Sequence, residues 1–297
     1  MNTTACSIVI PALNEEEGIG PTLDRIKAVA DASSLQIEMI VVDDGSSDRT
    51  GDIALSKGAR VIRNPINGGY GMSLQRGIRA ASHELVAITD ADGTYPVEDI
   101  PKLIAMMDEG LDMAVGARQG KEYWKFWWKN PARVMFRVIA EFVAGRRIPD
   151  INSGLRIMRR TTILPYLSQT CLGFSFTTSI TLILMLNGHF VAYRPISYDS
   201  RIGSSKIRHF HDTLRTAQIM TSVIATHNPI KLALIVDLFA VLFAIVCFAL
   251  ASVVAYLSII IATILVSFAN AFLIGLPIVF MLGCVGELLR VKLSSSR

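Results

Sequence analysis

Short apolar runs alternate with stretches of helical periodicity through the first two hundred residues, and most of the runs end in carboxylates, amides or glycines. Cys6–Ala12, Gln36–Val42, Ala59–Arg63, His83–Thr89 and Leu111–Ala117 read as buried strands, short and bounded by turn formers. Helices are predicted behind Asn14, behind Asp48, from Asn67-Gly68-Gly69-Tyr70-Gly71 through Ala81, and near Val97–Glu109 after Pro96. Such strand–helix alternation argues for an α/β fold with a mainly parallel, doubly wound sheet. Further on, LRIMRR and Phe190–Tyr198 read as strands, Phe174–Gly188 as an apolar helix and His209–Thr226 as another helix.

The pattern then changes. From Leu238 to Gly286 there are 49 residues without Asp, Glu, Lys, Arg or His. Two helices of about 20 residues, each spanning about 30 Å of hydrocarbon, fit that length. They are expected at about 232–256 and 259–286, with the turn near Tyr256–Ser258. Lys231 precedes the first span, and Arg290, Lys292 and Arg297 follow the second. Positive charge at both ends and none in the turn predicts that both ends are cytoplasmic. Asp237 is placed near the interface, where it can snorkel or pair; Asn270 lies deeper and hints at a neighbouring helix. The expected division is a water-soluble α/β domain over 1–208, a juxtamembrane helix over 209–230 and a two-helix membrane hairpin over 231–289.

Composition agrees. The chain is 51% hydrophobic with a mean hydropathy of +0.44, and the excess sits in the tail. Four cysteines without paired spacing suggest neither a disulfide framework nor a zinc site. The N-terminus shows no signal peptide pattern. Net charge is only +4, and no nucleic-acid partner is expected. Basic charge is concentrated between Arg118 and Arg147, where eight Lys/Arg face two Glu. On a helical wheel Trp124, Trp127, Trp128, Met135, Val138, Ile139 and Phe142 share one face, opposite Lys125, Lys129, Arg133 and Arg137. A segment over about 121–145 is therefore expected to lie on a membrane surface. Asn130-Pro131 would start a second helix within it, with Asn130 as cap.

Chemistry gathers at the strand ends. Asp90 and Asp92, spaced i, i+2 after a strand, can reach one divalent cation, Mg²⁺ or Mn²⁺, that bridges to a diphosphate; the same residues also make a turn. Asn14 reads as the cap of the first helix, with Glu15, Glu16 and Glu17 at its positive end. Asp43 and Asp44 exceed what a cap needs and suit hydrogen bonds from a ribose or a nucleobase. The glycines of Asn67–Gly71 let backbone approach a ligand. Arg201-Ile202-Gly203-Ser204-Ser205-Lys206 is either a phosphate-binding loop or a solvated linker.

Taken in order, IVIPALNEEEGI (8–19), VVDDGSSDRT (41–50), NGGYGMSLQRGI (67–78), ITDADGTYP (88–96), VGAR (115–118), DINSGLR (150–156) and RIGSSK (201–206) resemble the family 2 glycosyltransferases of GT-A fold. More closely, the chain resembles the polyprenyl-phosphate glycosyltransferases of the dolichol-phosphate mannose synthase type. The resemblance implies nucleotide-sugar binding at Pro11, Asn14, Glu15, Asp43 and Asp44, with Leu13, Gly68 and Ala91 in the same stretches. It implies metal and diphosphate binding at Asp90 and Asp92. Arg118, Ser153, Arg201 and Lys206, and more loosely Arg133, match positions around an acceptor phosphate. Thr94 stands where some relatives carry Gln, and DADGTYP departs from the D-x-x-D-P-P of glucose-transferring members.

The implied reaction moves a hexose from a nucleotide-diphosphate donor, UDP-glucose-type or GDP-mannose, to polyprenyl (undecaprenyl or dolichyl) phosphate, with inversion. The nucleophile is an ionised phosphate oxygen, so Asp150 is expected to orient Arg or Ser groups rather than act as a base. A homo-oligomer through the transmembrane helices is a further expectation. Alternatives are a non-lipid acceptor or a non-enzymatic membrane scaffold. Missing Q-x-x-R-W, Gly-rich Arg loop and G-x-G-x-x-G elements disfavour a polysaccharide synthase, a nucleotidyltransferase and a Rossmann dehydrogenase.

Overall fold

The computed structural model describes residues 4–119, 131–173, 175–199, 209–255 and 258–294. It divides into two compact units, Met1–Met220 and Thr221–Arg297. The first is built on one seven-stranded sheet. β1 (Ala5–Ala12), β2 (Gln36–Asp43), β3 (Arg60–Arg63), β4 (Leu85–Ile88), β5 (Met113–Arg118), β6 (Arg156–Arg159) and β7 (Val191–Ile196) lie in the order β3-β2-β1-β4-β6-β5-β7. All pairings are parallel except those of β6, which runs against both β4 and β5.

The strands are continuously apolar because both faces of the sheet are covered. Alternate residues of β1 point to opposite sides: Ile8 and Ile10 pack with Leu23, Ile26, Ile100 and Leu103, whereas Val9 packs with Leu74, Ile78, Phe176 and Ile180. The covering helices are α1 (Glu16–Ser33), α2 (Thr50–Ser56), α3 (Tyr70–Ala80) and α4 (Ile100–Met107), then α5 (Pro131–Ala144), a short α6 (Arg160–Ile163) and α7 (Phe176–Leu186).

Two local expectations are corrected. Asn14 does not cap α1. Glu15 holds that position, and Asn14 sits at φ +49° with its Oδ1 accepting the Ser47 N–H at 2.8 Å. The cap comes from another loop: Asp48 accepts the Glu16 N–H of α1 at 3.2 Å and the Thr50 N–H of α2 at 3.0 Å, so one carboxylate serves two helix starts. The predicted Val97–Glu109 helix is a 3₁₀ turn over Val97–Asp99 followed by α4, which carries Pro101 in its first turn.

α5 begins at Pro131, the position a proline tolerates best. It buries Ala140 and Val143, and leaves Met135, Val138 and Phe142 45%, 57% and 49% exposed along one stripe. Arg137 pairs with Glu141 one turn on. Trp124, Trp127, Trp128, Lys125 and Lys129 lie outside the described residues.

After α8 (His209–His227) comes the apolar tail, α9 (Pro229–Val254) and α10 (Ile259–Ser294). Asn228 accepts the Lys231 N–H and so caps α9. Both helices are long and apolar enough to cross a membrane. They pack closely because α10 carries glycine where α9 approaches: a Cβ on Gly283 would lie 2.6 Å from that of Ala233. Phe243 and Phe272 meet with ring centroids 4.6 Å apart. Asp237 buries Oδ1 with no hydrogen-bond partner among the described residues.

Candidate active site

Because β1, β2 and β4 run parallel, their carboxyl ends share one edge of the sheet. Ala12 of β1 lies in register with Asp43 of β2. The loops that leave this edge hold most of the polar motifs, and the general rule for open α/β sheets places ligands there.

The Asp90–Gly93 turn follows β4. Gly93 takes φ +73°, a conformation glycine adopts without strain. Helix α1 fixes the turn's backbone from behind. Thr22 donates to the Ala91 carbonyl at 3.0 Å, and Arg25 donates to the Gly93 carbonyl at 3.2 Å while gripping Glu98 with two bonds. A Cβ on Gly18 would come within 2.7 Å of the Ala91 oxygen, so α1 approaches as far as glycine allows.

Each aspartate of the turn has its own partners. Asp92 is buried, and its Oδ1 accepts from both the N–H (3.1 Å) and the hydroxyl (2.7 Å) of Thr94. Thr94 therefore orients Asp92. Asp90 accepts the Tyr70 hydroxyl at 3.1 Å. Burial, and then the Asp90 charge, pushes Tyr70 ionisation well above the ordinary tyrosine range, which keeps the phenol a donor.

Asp43 and Asp44 end β2. Asp43 Oδ1 accepts the Ser46 N–H at 2.9 Å. Asp44 is occupied by the glycine loop: it accepts from Gly68 N–H, Gly69 N–H and Asn64 Nδ2. The glycines have neighbours in the protein. Gly69 (φ +95°) and Gly71 lie against the Cys171–Gly173 backbone, where a Cβ on Gly71 would overlap the Cys171 carbonyl oxygen. Met72 N–H donates to the Leu172 carbonyl, joining the two segments.

On the other side stands Arg118, at the end of β5. Its Nε meets Asp150 Oδ2 at 2.7 Å and its Nη2 meets Oδ1 at 2.9 Å, a two-point pair in which Asp150 is buried and Arg118 keeps 17% of its side chain exposed. Burial opposes its charge, but the facing Asp150 carboxylate more than offsets this and holds the guanidinium protonated. Its plane lies 5.2 Å over the Tyr198 ring, which in turn packs edge-on against Tyr95. Ser153 is fully buried and donates to the Gly116 carbonyl, so the structure turns inward a hydroxyl expected at an acceptor phosphate.

Arg156 is wholly buried at the start of β6. It donates to the carbonyls of Ile151, Ser153 and Thr177 and to the Thr181 hydroxyl, and so shapes the 150–154 loop from below. Burial lowers its pKa. The two halves of the site meet at Gly154. Its N–H donates to Tyr95 Oη at 2.7 Å, and a Cβ there would lie 3.2 Å from both Asp90 oxygens.

Sequence reasoning missed Tyr70, Tyr95, Arg156 and the Thr22/Arg25 pair. Tyr70 stood between glycines and Arg156 in an apolar strand, where tertiary partners cannot be read. Arg201 and Lys206 lie outside the described residues, as does the Arg133 side chain. Pro11 is the penultimate residue of β1, in register with Val42, with Leu13 and Glu15 in the loop beyond; Glu15 N–H donates to the Thr50 hydroxyl.

No cluster of three or more His, Cys, Asp or Glu that could hold a metal occurs among the described residues. Asp90 and Asp92 on one turn fit a cation that takes one or two carboxylates from protein and its remaining ligands from diphosphate and water.

Residues 7–177, more than half of the chain, match the family model described as Glycosyl transferase family 2. The chain belongs to the family 2 glycosyltransferases. Among curated relatives, the dolichyl-phosphate hexose transferase of Haloferax volcanii is 32% identical over 205 residues, 69% of this chain and 87% of that protein. The undecaprenyl-phosphate 4-deoxy-4-formamido-L-arabinose transferase of Edwardsiella ictaluri is 32% identical over 163 residues, 53% of this chain and 50% of that protein, so only half of the latter is spanned. Among solved structures, glucosyl-3-phosphoglycerate synthase from Mycobacterium tuberculosis, crystallised with Mg²⁺ and UDP, superposes with a TM-score of 0.62 at 20% identity, over 75% of this chain and 79% of that one. This likeness shows the GT-A fold of the family 2 enzymes.

Proposed function

We propose that this glycosyltransferase is membrane-bound and moves a hexose from a nucleoside-diphosphate sugar to a polyprenyl phosphate. The observation that carries the reading is the junction at Gly154. It sets the Asp90–Asp92 turn, suited to a metal-bound diphosphate, directly beside the loop that holds Arg118, suited to a second anion. Two relatives named for dolichyl and undecaprenyl phosphate support that acceptor class.

In this reading Asp90 and Asp92 hold Mg²⁺ or Mn²⁺, which when bound neutralises charge on the departing nucleoside diphosphate. Pro11, Leu13, Asn14, Glu15, Asp43 and Ala91 line the nucleotide side, where Asn14 and Ser47 tie two loops together. Asp44 and Gly68 shape that side from within. Arg118 receives the acceptor phosphate, with Asp150 fixing its fork, and Arg133, Arg201 and Lys206 add positive charge. An ionised phosphate needs no proton removed, so these cations act by bringing one anion to another. α9 and α10 anchor the chain, with the catalytic unit on the cytoplasmic side. The Met135, Val138 and Phe142 stripe suits contact with the lipid interface.

The test is a transfer assay on purified chain in detergent, with Mg²⁺ or Mn²⁺, undecaprenyl or dolichyl phosphate and a panel of labelled UDP- and GDP-sugars. Label entering the lipid phase with one donor, and lost in Asp92→Asn, supports the reading and identifies the sugar. Metal-dependent nucleotide binding without lipid labelling from any donor overturns the acceptor.

A further inference from the structure

We propose that Tyr70 is a positioning residue for Asp90, and that the glycine-rich Asn67–Gly71 segment serves to seat this tyrosine. The inference rests on the reading that Asp90 and Asp92 hold a divalent cation.

The argument starts one strand away. Asp44 accepts the Gly68 and Gly69 N–H groups, both at 2.9 Å, and so pins the entry to α3. Gly69, at φ +95°, turns the chain into the helix, and Gly71 lets that first turn lie on the Cys171–Gly173 backbone. Larger residues at either position would push the turn off its seat. Tyr70, caught between them, is half-buried and packs against the cluster that holds Val9, Leu74, Ile78 and Phe176. Its hydroxyl emerges at Asp90 Oδ1, 3.1 Å away.

Asp90 is bounded on its other side by Gly154, where a Cβ would come within 3.2 Å of both carboxylate oxygens. The carboxylate is thus held between a phenol O–H and a bare Cα. A ligating carboxylate that is itself hydrogen-bonded keeps its lone pairs aimed before the cation arrives, and removal of such a partner typically lowers metal affinity by about 10–100-fold. The glycines of 67–71 are accounted for by contacts within the protein, and the second and third strand-end motifs become one device: Asp44 fixes the loop, the loop fixes Tyr70, and Tyr70 fixes Asp90.

The test titrates full-length protein in detergent with Mn²⁺ alone, following the electron paramagnetic resonance signal of the free ion. Asp90→Asn is the reference for lost binding. Tyr70→Phe keeps the ring and removes only the donor. It is expected to bind Mn²⁺ about tenfold more weakly, with the metal-free melting midpoint unchanged. Tyr70→4-aminophenylalanine, which restores an N–H donor on the same ring, is expected to recover the affinity. In transfer assays the loss appears in the KM for metal, with kcat recovered at saturating Mn²⁺. Tyr70→Phe binding Mn²⁺ as the wild type does, or 4-aminophenylalanine failing to rescue, overturns the inference. Wild-type protein that binds no Mn²⁺, either alone or with UDP or GDP added, overturns the metal reading itself, a distinct result.

Discussion

Arg118 and Asp150 are joined by two side-chain hydrogen bonds, Nε to Oδ2 at 2.7 Å and Nη2 to Oδ1 at 2.9 Å, and the Arg118 backbone N–H adds a third at 3.2 Å. The pair ties the end of β5 to the loop before β6. Asp150→Ala leaves a buried guanidinium without its anion, and is expected to destabilise the first unit by about 3–5 kcal/mol, read from thermal or denaturant melting in detergent. Arg118→Lys keeps the charge but loses the planar fork and its stacking on Tyr198. Transfer to the acceptor should then fall about 10²-fold in kcat/KM, with donor binding intact.

Gly71 admits no side chain. A methyl there meets backbone that cannot move aside, so Gly71→Ala should cost about 1–3 kcal/mol or more and depress folded yield. Melting curves of the variant beside the wild type check the loss.

Glu98 gives an acid dependence. The Arg25 hydrogen bonds hold its carboxyl below the usual glutamate range. A depressed folded pKa means that the contribution is complete above the unfolded value, about 4.3, and is lost as pH falls through the lower folded value. Both side chains are partly exposed, so the pair is worth only about 0.5 kcal/mol. Wild type should therefore melt slightly above Glu98→Gln at pH 7, and the difference should shrink as pH falls below about 4.3 and vanish once the carboxyl is protonated in the folded protein.

The α5 stripe should matter only when the acceptor resides in lipid. Changing Met135, Val138 and Phe142 together to Asn is expected to raise the KM for long-chain acceptor in vesicles by about five- to tenfold, equivalent to burial of roughly one to two methylenes. The KM for donor and for a short-chain, water-soluble acceptor should not change. Equal effects on both acceptors would remove the membrane role.

Much of this architecture is legible in the sequence. Strands flanked by helices announce a doubly wound sheet because period-2 runs covered on both faces become uninterrupted apolar words, such as SIVIPA and MIVV. The pair of long apolar helices α9 and α10 is legible from 49 residues without charge. What the sequence hides is non-local. Nothing near Arg156 says that its guanidinium is enclosed by carbonyls from α7 and its own loop. Asn14 has the composition of a cap, yet Asp48 from a distant turn supplies the hydrogen bond. Ser153 sits in a motif that points to the acceptor, but its hydroxyl is spent on β5. Asp44 and Tyr70 look like independent letters of two motifs and are instead consecutive parts of one support for Asp90.

The reversed strand β6 has a consequence for synthesis. In the sheet, β5 touches only β6 and β7, and both are encoded later in the chain. A nascent polypeptide that has just emerged through Arg118 can assemble the run β3-β2-β1-β4, yet β5 then has no neighbour and β4 keeps an open edge. The ribosome must release about forty more residues before β6 can enter the gap. During that interval the half-built sheet presents an apolar, unpaired edge, the kind of surface that attracts chaperones or other chains. Arg156, the first residue of β6, would arrive with the strand that closes the edge, so completion of the reactive cleft and protection of the newborn protein would be the same event.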